Sequence, residues 1–395
     1  MVDLSIPRIG GENHPPTVGQ LSQKRRGNLK LPGLTDVHVH LRVPGGEHKE
    51  DFLTGTQAAI AGGFTRLLAM PNTHPPLVTL KDWNIAQNMA NNQSQCDVFL
   101  YAGGSSQHLD ELPQLAKVAP AIKLYLDQTY GPLRLQGLAA LQSIFEKWHQ
   151  GKPIVCHAEE ESLAVVLALA ALYKRSVHIS HVSRKSEVEL IAKAKAEGIK
   201  VSCEVTPHHL FLNENDARRL GPFGDMRPVL QPQSDVDALW QHLGTTIDCV
   251  ACDHAPHTIA EKGGRAQHYG VGLPDGLADE PQRQNGDSYP PGVPGLESTL
   301  PLMLTAAAQG RISYDLIIKL LDENPRRIFN LPIQEETWIE IDPNASYNFP
   351  AHTLYTKCGW SPFMGMKMTG KVRRVVLRGE LVYQDGQVLP GPRFN

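Results

Sequence analysis

Nowhere do these 395 residues run to the ~18–20 consecutive apolar positions that a membrane-crossing helix needs. The first twenty residues lack the basic-then-apolar pattern of a secretory leader. Neither sign of charge dominates: a net charge of −3 leaves no electrostatic footprint for nucleic acid or an anionic membrane. Cysteine is scarce, six in the whole chain, which argues against a disulfide scaffold and for a reducing, cytoplasmic setting. No G-x-G-x-x-G follows the first strand-like run, which weakens a dinucleotide-binding reading. What is present in excess is histidine. Seventeen is about twice ordinary usage, and histidine is both the commonest metal ligand and a frequent general base.

The chain has a repeating texture. Residues 1–29 are polar and rich in Gly and Pro, and read as an extended N-terminal segment. From Lys30 onward short apolar runs alternate with longer stretches of three-to-four periodicity. The runs are Leu34–Leu41, Thr65–Met70, Asp97–Ala102, Ala121–Leu126, Pro153–His157, Ser176–Val182, Lys200–Val205 and Asp248–Cys252. Apolar on both faces, they read as buried parallel strands. Helical spacing falls at Thr54–Ala61, Leu80–Asn91, Leu135–Trp148, Glu161–Leu172, Ser186–Glu197 and Ser234–Leu243. Eight such units across about 260 residues fit a (β/α)8 TIM barrel, an α/β fold, better than an open doubly wound sheet. The barrel is expected over 30–345. A Gly/Pro-rich insertion near 263–293 is too long for an ordinary loop. A small β appendage is expected over 346–395, with a hairpin turning at Arg378-Gly379, joined by part of the N-terminus.

A barrel of this kind carries its chemistry at the C-terminal ends of its strands. The histidines fall there. The first strand ends Asp36-Val-His38-Val-His40-Leu-Arg42, the fifth His157-Ala-Glu159, the sixth His178-Ile-Ser-His181, and the eighth Asp253-His-Ala-Pro-His257. Period two puts His38 and His40 on one face, a start on a metal site, since zinc accepts imidazole nitrogen and carboxylate oxygen. Lys123 lies within an apolar strand, where a charged amine is costly unless it snorkels, pairs or loses its proton. A neutral amine can add carbon dioxide, and the resulting anionic carbamate can bridge two cations. Cys249 and Cys252 have C-x-x-C spacing, but three residues along a strand put the thiols on opposite faces, so they read as buried structural thiols. Arg42, Asn72 and His257 stand where a substrate would lie. An arginine there suits a bidentate carboxylate contact.

The stretches Leu31-Pro-Gly-Leu-Thr-Asp-Val-His-Val-His-Leu-Arg42, Met70-Pro-Asn-Thr73, Ile122-Lys-Leu-Tyr125, His157-Ala-Glu159 and Asp253-His-Ala-Pro-His257 resemble the amidohydrolase superfamily. Within it they look most like the dihydroorotases, above all the dihydroorotase domain of animal multifunctional pyrimidine-synthesis proteins. Cys203-Glu-Val-Thr-Pro-His-His and Asn324-Pro-Arg-Arg-Ile-Phe329 extend the likeness, which runs from about Lys30 to Val388. The resemblance implies a zinc enzyme that interconverts N-carbamoyl-L-aspartate and L-dihydroorotate. It implies one zinc on His38, His40 and Asp253, a second on His157 and His181, and carboxylated Lys123 bridging them. Asp253 would be the catalytic acid and base. Arg42, Asn72, Arg227 and His257 would bind substrate. Thr129 would touch it from a mobile loop at 127–131. It also implies a homodimer, with association or fusion to other enzymes of the pathway. Tyr130 stands where the animal domain has phenylalanine, and Ser180 where it has cysteine, which argues against a further metal there. Two other readings compete. Hydantoinases, dihydropyrimidinases and allantoinases share the paired metals but need no arginine aimed at a carboxylate. A non-catalytic scaffold would have lost metal-binding positions, whereas all six are present here.

Overall fold

The computed structural model describes residues 27–263 and 289–391. The expected extended segment before Gly27, and most of the expected insertion, lie outside them. Among the described residues no helix is long and apolar enough to cross a membrane.

Eight parallel strand positions close into a barrel. In chain order they follow β1 (Leu29–Pro32) as β2 (Leu34–Val39), β3 (Phe64–Ala69), β4 (Asp97–Leu100) with β5 (Ala102–Gly103), β6 (Ile122–Tyr125), β7 (Ile154–His157), β8 (Val177–Ile179), β9 (Val201–Val205) and β10 (Cys249–Val250). β4 and β5 are one strand broken at Tyr101: β4 pairs with β3, and β5 pairs with β6. Pairing then runs in order from β6 to β10. A parallel bridge between Val39 and His254 closes the ring, with the His40 amide donating to the His254 carbonyl at 2.7 Å. β2 and β3 are buried along their whole length, as expected of strands covered on both faces.

The helices sheathe this barrel. They are α1 (Phe52–Ala61), α2 (Leu80–Gln93), α3 (Leu112–Val118), α4 (Leu138–Lys147), α5 (Glu160–Leu172), α6 (Lys185–Ala196), α7 (Pro207–Phe211), α8 (Glu214–Leu220), α9 (Gln233–His242), α10 (Leu296–Ala308), α11 (Tyr314–Ile318) and α12 (Asn324–Phe329). The six longer helices expected between strands are present. α7 and α8 had no counterpart in the sequence pattern, because five to seven residues are too few to display a period. Asp51 caps α1 through a reciprocal bond pair with Thr54. The main apolar core lies between strands and helices. A smaller cluster, in which Val37, Leu68, Tyr101, Val155, Ala251 and Phe329 meet from separate elements, fills the barrel interior.

The second sheet is antiparallel, in the order β1, β11 (Trp338–Asn348), β12 (Lys367–Leu377), β13 (Glu380–Gln384), β14 (Gln387–Val388). It begins at Trp338 and recruits β1, so the boundary expected at 345/346 falls inside β11. The hairpin turns where the sequence places it. Arg378 and Gly379 have φ of 51° and 79°, the left-handed pair of a tight two-residue turn. α10 lies against β12 so closely that a Cβ on Gly370 would stand 2.6 Å from that of Leu304.

Candidate metal centre and active site

The strand ends bring His38, His40 and Asp253 together, their ligand atoms within 4.8 Å of one another. His181 joins them, its ring centre 5.1 Å from that of His38, and His157 lies 4.4 Å beyond His181. Several of these residues leave ordinary strand geometry to reach the centre. Asp253, His181 and Arg42 have φ of 45°, 36° and 63°, a left-handed conformation that non-glycine residues adopt at a cost and that clusters at functional sites.

Hydrogen bonds fix which nitrogen of each histidine faces inward. His38 Nδ1 donates to Glu204 Oε1, a carboxylate that only accepts. His40 Nδ1 donates to Asn72 Oδ1 at 2.8 Å, and the Asn72 amide is oriented by its own donation from Nδ2 to the Tyr130 carbonyl at 3.0 Å. Both rings therefore present a bare Nε2 lone pair to Asp253 Oδ1, at 3.3 Å from His38 and 3.1 Å from His40. Three acceptors converging in a buried pocket repel one another unless a cation sits among them. His181 Nδ1 is likewise buried, with no hydrogen-bond partner among the described residues. The donor set thus fits a metal ion, and imidazole with carboxylate suits zinc.

The electrostatics agree. Burial pushes His181 well below its usual range and His40 down to about 4, so both stay neutral with lone pairs free. Burial opposes the charge on Asp253; what holds its carboxyl well below the ordinary value is positive charge on the histidines around it, a role that falls to a bound cation when those imidazoles are neutral. Lys123 is fully buried on β6, its Nζ donating to Ser180 Oγ at 2.5 Å, and burial pushes its ammonium down to about 8. A minority of neutral amine, far more than an ordinary lysine offers, is then accessible near physiological pH, as carbamate formation requires.

Beside the metal centre lies a cationic wall. Arg42 Nε donates to the Pro256 carbonyl at 3.1 Å, and Arg42 Nη2 lies 3.1 Å from His257 Nε2. Lys49 Nζ touches Tyr130 Oη at 3.0 Å, His257 Nδ1 at 3.2 Å and Glu261 Oε1 at 3.0 Å. Lys262 is fully buried, donating to the Asp225 carbonyl at 3.1 Å. Arg227 pairs with Asp225, its side chain 34% exposed, and so keeps contact with solvent. Thr129 is half-buried in the loop that carries Tyr130.

Part of the sequence-derived set is brought together, while Arg227 is seen paired with Asp225 and Thr129 half-buried in its loop. Its five histidines, Lys123, Asp253, Arg42 and Asn72 line one end of the barrel. Asn72 is placed against His40 and the 127–131 loop, both halves of its amide already engaged. Sequence reasoning gave no role to two residues. Glu204 could have been found as a carboxylate on an apolar strand. It is fully buried between His38 and His178, bonded to His178 Nε2 at 2.9 Å. Those partners outweigh burial and hold its carboxyl well below the usual range. Lys49 gave no signal, since a lysine in a polar loop ordinarily faces water.

Comparison with known proteins agrees with this geometry. Residues 27–141 match the model of the family described as Dihydro-orotase-like. The chain is 45% identical over 389 residues to the multifunctional protein CAD of Squalus acanthias, which covers 98% of the chain but 16% of that protein. It is 31% identical to the dihydroorotase of Methanothermobacter thermautotrophicus, covering 93% of the chain and 86% of that relative. Among solved structures, the L-hydantoinase (dihydropyrimidinase) from Arthrobacter aurescens superposes with a TM-score of 0.82 at 25% identity, over 93% of this chain and 88% of that one.

Proposed function

The chain belongs to the dihydroorotase family, and from that premise we propose that it catalyses the reversible cyclisation of N-carbamoyl-L-aspartate to L-dihydroorotate, a step of pyrimidine biosynthesis. The observation that carries this reading is the juxtaposition of two opposite polarities. Lone pairs of His38, His40 and Asp253 converge on a cation position, and the cations Arg42 and Lys49 flank the neutral His257 beside it. A cyclic amide that bears a carboxylate needs both.

Residues His38, His40 and Asp253 would hold one zinc, His157 and His181 a second, and Lys123, carboxylated by carbon dioxide with loss of a proton, would bridge them. When bound, the ions would supply Lewis acidity that polarises an amide carbonyl and acidifies water. The protein's own groups do the rest. In the hydrolytic direction Asp253, already ionised, takes a proton from the attacking water. It delivers that proton to the ring nitrogen as the C–N bond breaks. In the cyclising direction Asp253 takes the proton from the ureido nitrogen and returns it to the departing water. Arg42 and His257 anchor the carboxylate so that the reacting atoms stay in line, and Asn72, Arg227 and Thr129 complete the substrate contacts. Glu204 and Asn72 hold His38 and His40 in the ligating tautomer.

The apolar outer face of α5, where Ala164, Val165, Ala168, Ala171 and Leu172 are exposed, supports the proposed homodimer. In the multifunctional relatives the matching region is 16% of the length, so association or fusion with other enzymes of the pathway is part of the proposal. The six free cysteines suit a reducing cytoplasm.

The second reading, a hydantoinase, draws on the structural likeness but leaves the buried Arg42 without a task. The test compares turnover of dihydroorotate with that of hydantoin, together with metal content. Dihydroorotate should be preferred by at least ~10²-fold, because a hydantoin leaves the buried cations unpaired. Lys123→Ala should lose activity and bound metal together. A preference for hydantoin, or a fully metallated and active Lys123→Ala protein, would refute the assignment.

A further inference from the structure

We propose that Lys49 is a positioning residue that fixes His257 as the tautomer protonated at Nε2, so that His257 and Arg42 present converging donors to the substrate carboxylate. An ammonium has three hydrogens and accepts nothing. Lys49, 5% exposed, has three acceptors for them: Tyr130 Oη at 3.0 Å, Glu261 Oε1 at 3.0 Å and His257 Nδ1 at 3.2 Å. His257 Nδ1 is thereby an acceptor, and the ring proton resides on Nε2.

The surroundings of Nε2 agree. It lies 3.1 Å from the Pro291 carbonyl, which only accepts. The opposite tautomer would set Nδ1–H against the ammonium and leave that carbonyl without a donor. A doubly protonated ring is disfavoured by burial and by the charges of Arg42, Lys49 and Lys262, which push His257 far below its ordinary range. One contact is left unresolved. Arg42 Nη2, which can only donate, lies 3.1 Å from His257 Nε2, which also donates. Arg42 is held in that pose by its Nε bond to the Pro256 carbonyl, and His257 by the Trp360 indole donating to its backbone carbonyl at 2.8 Å. Two donors fixed this close call for an oxygen placed between them.

The same ammonium reaches the loop above the site. The Tyr130 ring meets His257 edge-on at 5.1 Å, and its backbone carbonyl is tied to Asn72. Lys49 thus couples the position of the 127–131 loop to the donor state of His257. That the awaited oxygen belongs to a substrate carboxylate rests on the function proposed above; the tautomer does not.

The test is a long-range ¹H–¹⁵N spectrum of the zinc-loaded protein, with the His257 ring assigned by its loss in His257→Asn. The wild-type ring should carry its proton on Nε2, and a ring protonated on Nδ1 would overturn the proposal at once. Lys49→Met should shift the population toward Nδ1–H. Lys49→Gln, whose amide still donates, should restore the wild-type pattern. Tyr130→Phe should leave the tautomer unchanged. A wild-type tautomer in Lys49→Met would overturn the positioning role. Calorimetric titration with orotate, a ring carboxylate, separates the two claims. Binding should weaken about tenfold in Lys49→Met. Unchanged binding alongside a shifted tautomer would overturn the carboxylate assignment while leaving the tautomer in place.

Discussion

At the scale of single residues, the site is governed by which groups have hydrogens to give. His38 and His40 turn lone pairs inward because Glu204 and Asn72 take their Nδ1 protons. Glu204 therefore acts on the metal centre through another residue. Replacing it by glutamine keeps the shape but offers His38 a weaker or misdirected partner. Glu204→Gln should weaken zinc binding about 10–100-fold, measured by competition with a chelator of known affinity. An unchanged affinity would confine Glu204 to packing. Asp253→Asn makes a different test of the same cluster. It removes the proton acceptor and should lower kcat about 10²–10⁴-fold in steady-state assays. Strand-end histidines, Lys123 and Asp253 were legible as residues. Glu204 was legible only as a carboxylate on an apolar strand, and Lys49 not at all, because their roles depend on neighbours 166 and 208 positions away along the chain.

At the scale of elements, the N-terminus of α5 serves both stability and the site. Ser162, at the third helical position, donates to Asp127 and accepts from the Glu159 amide, while the Glu159 amide also donates to Asp127 at 2.8 Å. The cap of α5 is thus the anchor of the loop that leads to Thr129 and Tyr130. Ser162→Ala should cost about 1 kcal/mol by chemical denaturation, the usual value of a lost cap. It should also raise KM for dihydroorotate, because the loop loses its base. A stability loss with KM unchanged would separate the two roles. Most elements could be read from periodicity, since strands covered on both faces are apolar throughout and long helices show their buried stripe. The short α7 and α8 could not, having too few residues to repeat a pattern. The pairing of β1 with β11 was also beyond local reading: antiparallel register links residues such as Leu31 and Ile339 through backbone bonds that carry no local sequence mark.

At the scale of the whole molecule, the proposed metal centre would tie the barrel shut. Its proposed ligands come from β2, β7, the segment after β8 and the segment after β10, so bound ions would cross-link strands from opposite ends of the barrel sequence. Metal that binds only the folded state stabilises it by about 2.7 kcal/mol at a hundred times its dissociation constant. Chelation should therefore lower the melting temperature in scanning calorimetry, and added zinc should restore it. A melting temperature indifferent to chelator would mean that the ions do not bridge these strands. The sequence by itself determined the alternation of strand and helix, hence the barrel, and the placement of ligating residue types at strand ends. Both are local properties, set by hydrophobic period and by chain position. Only the tertiary structure decided the donor state of each buried group. Whether His257 gives or takes a hydrogen, and whether Asp253 faces protons or lone pairs, is fixed by partners that folding brings within about 3 Å, where hydrogen bonds act.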